Sequence, residues 1–266
     1  MKKSFMMLFA GALLAGFTFT SCEKDNGSNG SDAIIDNNGG GNGGSTSDLH
    51  ASLQGSNYYV LFMDDYSFDA IKDKVVADFR PSVVDGVTYI NIDVWSNTYS
   101  AGTNSGLGFY GGATGWVSFV VGSAGWSGGA WDLYNGTADV PDVDKVTAID
   151  NDLDSYYLHL AYKTNQTGKS HLFYMTWPSA ATAGASFAIG ETPYVDNGET
   201  YNPIAPVSND GKFVVGEWNE YEVALKDMGL DFSQDPVKDA INLLAFLSGG
   251  TAGTTLDLDA IFIYKK

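Results

Sequence analysis

The chain has 266 residues, with 32 Asp and Glu against 14 Lys and Arg, and a formal charge of −18 at pH 7. Nucleic acids are held mainly by Lys and Arg neutralising phosphates, so this balance argues against nucleic acid as a partner and disfavours anionic membrane surfaces. Hydrophobic residues at 44% and aromatics at 14% are ample for a packed core, which excludes an acidic disordered chain.

The first segment reads as targeting rather than structure. Lys2 and Lys3 form a basic start, and Phe5 to Phe19 is an apolar run too short to span a bilayer comfortably. Phe19-Thr20-Ser21-Cys22 follows, and Cys22 is the only cysteine, so no intramolecular disulfide can form. This arrangement resembles a bacterial lipobox, with Phe19 where Leu is usual. The resemblance implies a signal peptide over 1–21, cleavage before Cys22 and a lipid anchor on it. Residues 22–48 are rich in Gly, Asn and Ser, including Asn37 to Gly44, and cannot bury enough apolar area to offset ordering entropy. They read as a flexible tether. Its start, Glu23-Lys24-Asp25, resembles the export signals of Bacteroidetes surface lipoproteins, which implies a cell-surface protein anchored in the outer membrane. A periplasmic-facing orientation stays open.

Residues 49–266 read as one β-domain. Tyr58 to Met63 is a first apolar strand. Ser67 to Phe79 fits a helical turn followed by a strand, because Pro81 disfavours helix at Arg80. Tyr89 to Trp95 and Trp116 to Val121 alternate with period two and read as strands. Between and after them lie glycine-rich stretches carrying Trp126 and Trp131, which read as surface turns. Tyr156 to Lys163 and Ser170 to Trp177 read as a hairpin across Thr164 to Lys169. Glu191 to Asp210 reads as a long surface loop, and Pro236 to Asn242 as one helical turn. Phe213 to Leu225, Leu243 to Leu247 and Thr255 to Tyr264 read as closing strands. Many short strands with little helix predict an all-β jelly-roll sandwich.

Glu217 to Leu225, Ile241 to Phe246 and Leu256 to Tyr264 resemble the closing strands of galactose-binding-like domains, a pattern shared by carbohydrate-binding modules. Val75 to Trp131 is similar to domains of Bacteroidetes surface lipoproteins. The resemblance implies a jelly roll that binds glycan, with a possible outer-membrane transporter complex as a further partner. It also places Trp218 on a structural core strand and points to Asp259 as a structural calcium ligand.

Catalytic signals are weak, and no catalytic residues are assigned. Gly125-Trp-Ser127-Gly-Gly129 fits a nucleophile elbow literally, but no helical pattern follows, as that motif requires. His159 and His171 lack a third ligand at metal spacing. Asp150, Asp152 and Asp154 imitate the start of an EF-hand, but Ser155 stands at the glycine position and Ala161 at the terminal glutamate. Asp64 and Asp65, after the first strand, join Asp259 as candidate calcium ligands, with solvated surface charge as the plainer reading. Flat rings stack on the C–H faces of sugars, while amides and carboxylates hold hydroxyls. Trp95, Tyr99, Trp126, Trp131 and Tyr134, with Asp132 among them, are therefore the expected glycan platform; core packing is the competing role for each ring. A structural or adhesive surface protein without a sugar site is the alternative, and a hydrolase a distant one.

Overall fold

The computed structural model describes residues 49–84, 87–105, 107–111, 114–133, 143–175, 185–233 and 241–266. The expected signal peptide and tether, Cys22, Tyr134 and residues 236–240 of the expected helical turn lie outside them; its last two residues, Ile241 and Asn242, open a strand instead. Among the described residues, two sheets pack face to face as an all-β jelly-roll sandwich. Among the described residues α-helix is confined to α1 (Asp65–Asp69), beside 3-10 segments of which the longest is Val143–Ser155. The Asp64 carboxylate starts α1 by accepting the Ser67 N–H at 2.9 Å.

The seven-stranded sheet comprises β1 (Ser56–Phe62), β2 (Val75–Asp78), β5 (Tyr99–Ser105), β6 (Thr114–Val121), β8 (Tyr156–Lys163), β13 (Asn219–Ala224) and β15 (Thr255–Lys265). β15 organises it. β8 runs along one side, while the other side meets β6 over Thr255–Leu258 and β1 over Ile261–Lys265. The register breaks between Asp259 and Phe262, where Ala260 takes a φ of 51°. Such a bulge lets one strand change partner and face. Leu256, Leu258, Ile261 and Ile263 therefore all point into the sandwich, although their spacing is not strictly two.

The six-stranded sheet runs β10 (Ala185–Gly190), β9 (Ser170–Met175), β14 (Ile241–Gly249), β7 (Trp126–Leu133), β4 (Val87–Val94) and β3 (Ser82–Val84). Between the sheets Phe119, Trp131, Leu160, Phe173 and Phe246 form the centre of the core. A second cluster, with Tyr58, Tyr110, Phe262 and Tyr264, covers part of the opposite face of the seven-stranded sheet.

Several sequence expectations hold: the turn and strand over Ser67–Phe79, and the strands around Tyr58, Tyr89, Trp116 and Thr255. Others are corrected. β8 and β9 are not a hairpin; they belong to different sheets. Leu160 and Tyr162 on one and Phe173 and Met175 on the other face each other across the core. The connector Thr164–Lys169 spans up to about 20 Å, enough to cross the roughly 10 Å between stacked sheets. His159 and His171 consequently sit on separate layers and cannot pair. The expected loop over Glu191–Asp210 contains a two-stranded hairpin of β11 (Tyr194–Asp196) and β12 (Glu199–Tyr201). The expected long strand from Phe213 is regular only over β13.

The largest correction concerns the stretch holding Trp126 and Trp131, which is the strand β7 between β14 and β4. Its glycines are packing residues. A Cβ on Gly129 would lie 2.8 Å from the Asp93 carbonyl oxygen and 2.8 Å from the Phe246 ring, so the core side has no room for one.

Candidate functional site

The structure separates the expected platform residues. Trp131 is fully buried between Phe62, Phe119 and Phe246, with ring centroids 5.6–6.1 Å apart. Tyr99 is buried as well, donating its hydroxyl to Ser248 Oγ at 2.6 Å, and burial raises its pKa. Neither ring can reach a ligand, so both are corrected to core. They point inward because the strand period puts residues 127, 129 and 131 of β7 on the side facing the other sheet. Ser127, the serine of the apparent elbow motif, is fully buried there and donates to the Thr98 carbonyl at 3.1 Å.

Trp95 and Trp126 lie on the other, outer side of the six-stranded sheet. Trp126 is 45% exposed. Trp95 is half-buried, and its ring occupies the space a Cβ on Gly128 would take: that Cβ would fall 2.6 Å from Trp95 Cε3 and 2.9 Å from Leu247 Cδ2. Gly128 thus lets an indole rest directly on the sheet. The backbone that presents it is held firmly. After β4 a 3-10 turn, Trp95–Asn97, carries Ser96 and Asn97 at positive φ, 52° and 55°. Left-handed conformations at non-glycine residues are costly and persist where surrounding contacts enforce them. The enforcing residue is Thr98, whose hydroxyl donates to the Trp95 carbonyl at 2.8 Å and accepts the Gly128 N–H at 3.1 Å.

Register arranges the rest of the face. One row across the strands is Ser186, Tyr174, Ala245, Ala130 and Asp93. The next is Ala188, Leu172, Leu247 and Gly128, with the Trp95 ring over its end. Half-buried Tyr174, Leu247 and Trp95 and exposed Asp93 lie on this face, while Ala130 and Ala245 on the two central strands are buried. Burial raises the Asp93 carboxyl pKa, opposed by the Val94 N–H bonded to it. Asp132 stands in β7 in register with Asn91 and Asn242, which puts three polar residues on adjacent strands. Tyr174 and Leu247 escaped sequence reasoning. The signal for Tyr174 was the alternation on β9, where Phe173 and Met175 face inward and Tyr174 does not.

Of the carboxylates proposed for calcium, Asp64 lies near enough to Asp259 for its charge to add to burial in raising the Asp259 carboxyl, while Asp65 is turned to Arg80. Asp65 pairs with Arg80 Nη1 at 2.9 Å. Asp64 is occupied by Ser67, and Asp259 accepts the N–H groups of Phe109 and Ala260, both at 2.7 Å. Burial pushes the Asp259 carboxyl up to about 7. Among the described residues no three His, Cys, Asp or Glu side chains form a group able to hold a metal ion. His159 bonds the Ala260 carbonyl at 2.7 Å and Glu220 at 3.0 Å, while His171 bonds Tyr162 at 3.1 Å and Ser248. Trp218, expected in the core, is instead half-buried on the outside of the seven-stranded sheet, edge-on to Trp116 at 5.7 Å. It lies one residue before β13 and is therefore turned out with Glu220 and Glu222 rather than in with Tyr221.

Fold and site together define a two-sheet β-sandwich with Trp95, Trp126 and Tyr174 on one outer face. The sequence matches no protein-family model and no curated protein. Among solved structures, the chain is similar to a family 30 carbohydrate-binding module at 14% identity and a TM-score of 0.38, covering 70% of this chain and 94% of that one. A family 11 carbohydrate-binding module from Clostridium thermocellum, in complex with a mixed-linked tetrasaccharide, gives 12% identity and a TM-score of 0.34, covering 69% and 93%. The protein SGBP-B from a complex xyloglucan utilization locus in Bacteroides uniformis gives 14% and 0.35, covering 68% of this chain and 48% of that one.

Proposed function

We propose that the protein is a non-catalytic glycan-binding protein and that the outer face of the six-stranded sheet is its binding surface. The observation that carries this reading is the Trp95 ring seated over Gly128 and pinned through Thr98, on the outer face that also carries exposed Trp126. A half-buried indole held by an enforced backbone is pre-organised for stacking, and little further ordering entropy is lost when a sugar arrives. Asp93 on the same face is positioned to accept hydroxyl hydrogens, and Tyr174 offers a second ring. In this reading the chain is lipid-anchored at Cys22 to the outer membrane, with residues 22–48 as tether, and presents the sandwich at the cell surface beside a transporter.

The test is binding to a panel of soluble polysaccharides, with Trp95→Ala as the comparison. The expected result is binding to at least one glycan, reduced at least tenfold (about 1.4 kcal/mol) in Trp95→Ala while the melting temperature stays near wild type. No binding across the panel, or binding indifferent to Trp95, would leave a structural or adhesive role instead.

A further inference from the structure

A cavity of about 340 Å³ opens between the start of β9, the segment leading into β11 and the turn after β14. Its lining includes none of Trp95, Asp93 and Tyr174. The volume is at the small end of the range for small-molecule sites, about 300–1,000 Å³, and suits one sugar ring rather than a chain.

Its charge departs from that of the chain. Acidic residues outnumber basic ones 32 to 14, yet the lining contains no carboxylate and one charged side chain, Lys169. The Lys169 ammonium has no hydrogen bond or ion pair with any described residue. The neighbouring carboxylate of Glu191 accepts the Gly168 N–H instead. Lys169 lies near enough to fully buried His171 for its charge to add to burial in lowering the His171 pKa. His171 bonds the Ser248 hydroxyl of the lining, so the cation is within electrostatic reach of that wall.

The hydroxyls of the walls are fixed. Ser248 is 3% exposed and is held from behind by Tyr99 at 2.6 Å and by His171. Thr192 N–H donates to Ser170 Oγ at 2.9 Å, and Thr192 Oγ1 to the Gly168 carbonyl at 3.2 Å. Glu191 N–H donates to the Lys169 carbonyl at 2.9 Å. Gly190 allows that approach with a φ of 115°, because a Cβ there would lie 2.4 Å from the Lys169 oxygen. Two more hydroxyls of the lining, on Tyr194 and Thr251, have no hydrogen-bond partner among the described residues. Burial pushes the Tyr194 hydroxyl up to about 12, so it stays a donor at physiological pH.

A neutral sugar engages such hydroxyls but leaves the ammonium with water alone. A sugar carrying a carboxylate engages both, and a charge-assisted hydrogen bond is roughly twice as strong as a neutral one. The chain's charge of −18 weighs little at this range, since exposed charges more than about 8 Å apart are largely screened at physiological ionic strength. We infer that the cavity is a second binding site, for a single uronic acid unit, with the carboxylate at Lys169 and the ring hydroxyls at Tyr194, Thr251 and Ser248. It shares no residue with the outer face proposed above and does not depend on it.

The experiment titrates galacturonate and glucuronate, their methyl esters and the neutral sugars galactose and glucose into the wild-type protein, Lys169→Met, Lys169→Arg, Tyr194→Phe and Trp95→Ala, read by calorimetry and melting temperature. At least one uronate should bind at least tenfold more tightly than its ester and its neutral counterpart. Lys169→Met should remove that preference, weakening uronate about ten- to hundredfold, and Lys169→Arg should retain it. Tyr194→Phe should weaken binding about three- to tenfold, and Trp95→Ala should leave it unchanged. No uronate binding, neutral sugars binding equally well, or a Lys169→Met variant of unchanged melting temperature that binds like wild type overturns the inference. Uronate binding lost in Trp95→Ala also overturns it and assigns the ligand to the outer face.

Discussion

At the residue scale, two tryptophans five positions apart on β7 should behave oppositely. Trp131 is buried against three aromatic rings, so Trp131→Ala removes a large core side chain at a cost of about 3–5 kcal/mol. Trp126 is 45% exposed, and Trp126→Ala should stay within about 0.5 kcal/mol. Urea unfolding of the two variants checks this; equal losses would mean that Trp126 also is core. His171 carries a pH dependence. Complete burial lowers its pKa from 6.5 to about 3, so the folded protein keeps the ring neutral while the unfolded chain protonates below 6.5. Its contribution is therefore fully present above pH 6.5 and is lost as pH falls toward 3, by about 1.4 kcal/mol per pH unit. Asp259, pushed up to about 7, acts in the opposite sense over an overlapping window. The readout is thus the difference between wild type and His171→Gln, whose amide can still donate and accept. The stability gap should narrow as pH is lowered from 6.5 to 4, and a gap independent of pH would refute a neutral buried ring.

At the element scale, β7 shows how a glycine-rich segment becomes a central strand. Gly128 and Gly129 face opposite sides, and each omits a Cβ for a different ring. Gly129→Ala should push on Phe246 and the Asp93 backbone and destabilise by about 1–3 kcal/mol, as overpacking does. Gly128→Ala should lift the Trp95 ring instead, lowering glycan affinity more than stability. Melting temperature and affinity measured on both variants separate the two effects; identical profiles would contradict the assignment of faces. The same logic explains the legibility of β4 and β6. Their apolar alternation over Tyr89–Trp95 and Trp116–Val121 is visible in sequence, whereas the alternation on β7 is masked because Gly128 and Gly129, one position on each side, carry no side chain and Ala130 only a methyl group. Small residues are a weak strand signal precursor to packing: they read as turns until the neighbouring rings are in place.

At the scale of the whole molecule, the sandwich presents three kinds of surface. One face of the seven-stranded sheet is partly covered by residues around Leu53 and Tyr110, the opposite outer face carries Trp95 and Trp126, and acidic side chains dominate the charge. A face needed for a polymer must be held away from the membrane, which is the role proposed for residues 22–48. Cys22→Ser should therefore shift the protein from the membrane to the soluble fraction while leaving glycan binding by the purified domain unchanged. Retention in the membrane fraction, or failure of the wild type to incorporate labelled fatty acid, would exclude anchoring at Cys22.

Composition and periodicity by themselves determined the β class and the strands whose buried faces alternate cleanly, because these follow from residue type and local spacing. Only the tertiary structure decided that β8 and β9 part into different layers, that Trp131 and Tyr99 turn inward while Trp95 lies outside, and that Tyr174 and Leu247 complete the same face. Those outcomes depend on which strands become neighbours and on which side each presents to the other sheet. A one-residue change of register would exchange the core and outer faces, and register is set by contacts between residues far apart in the chain.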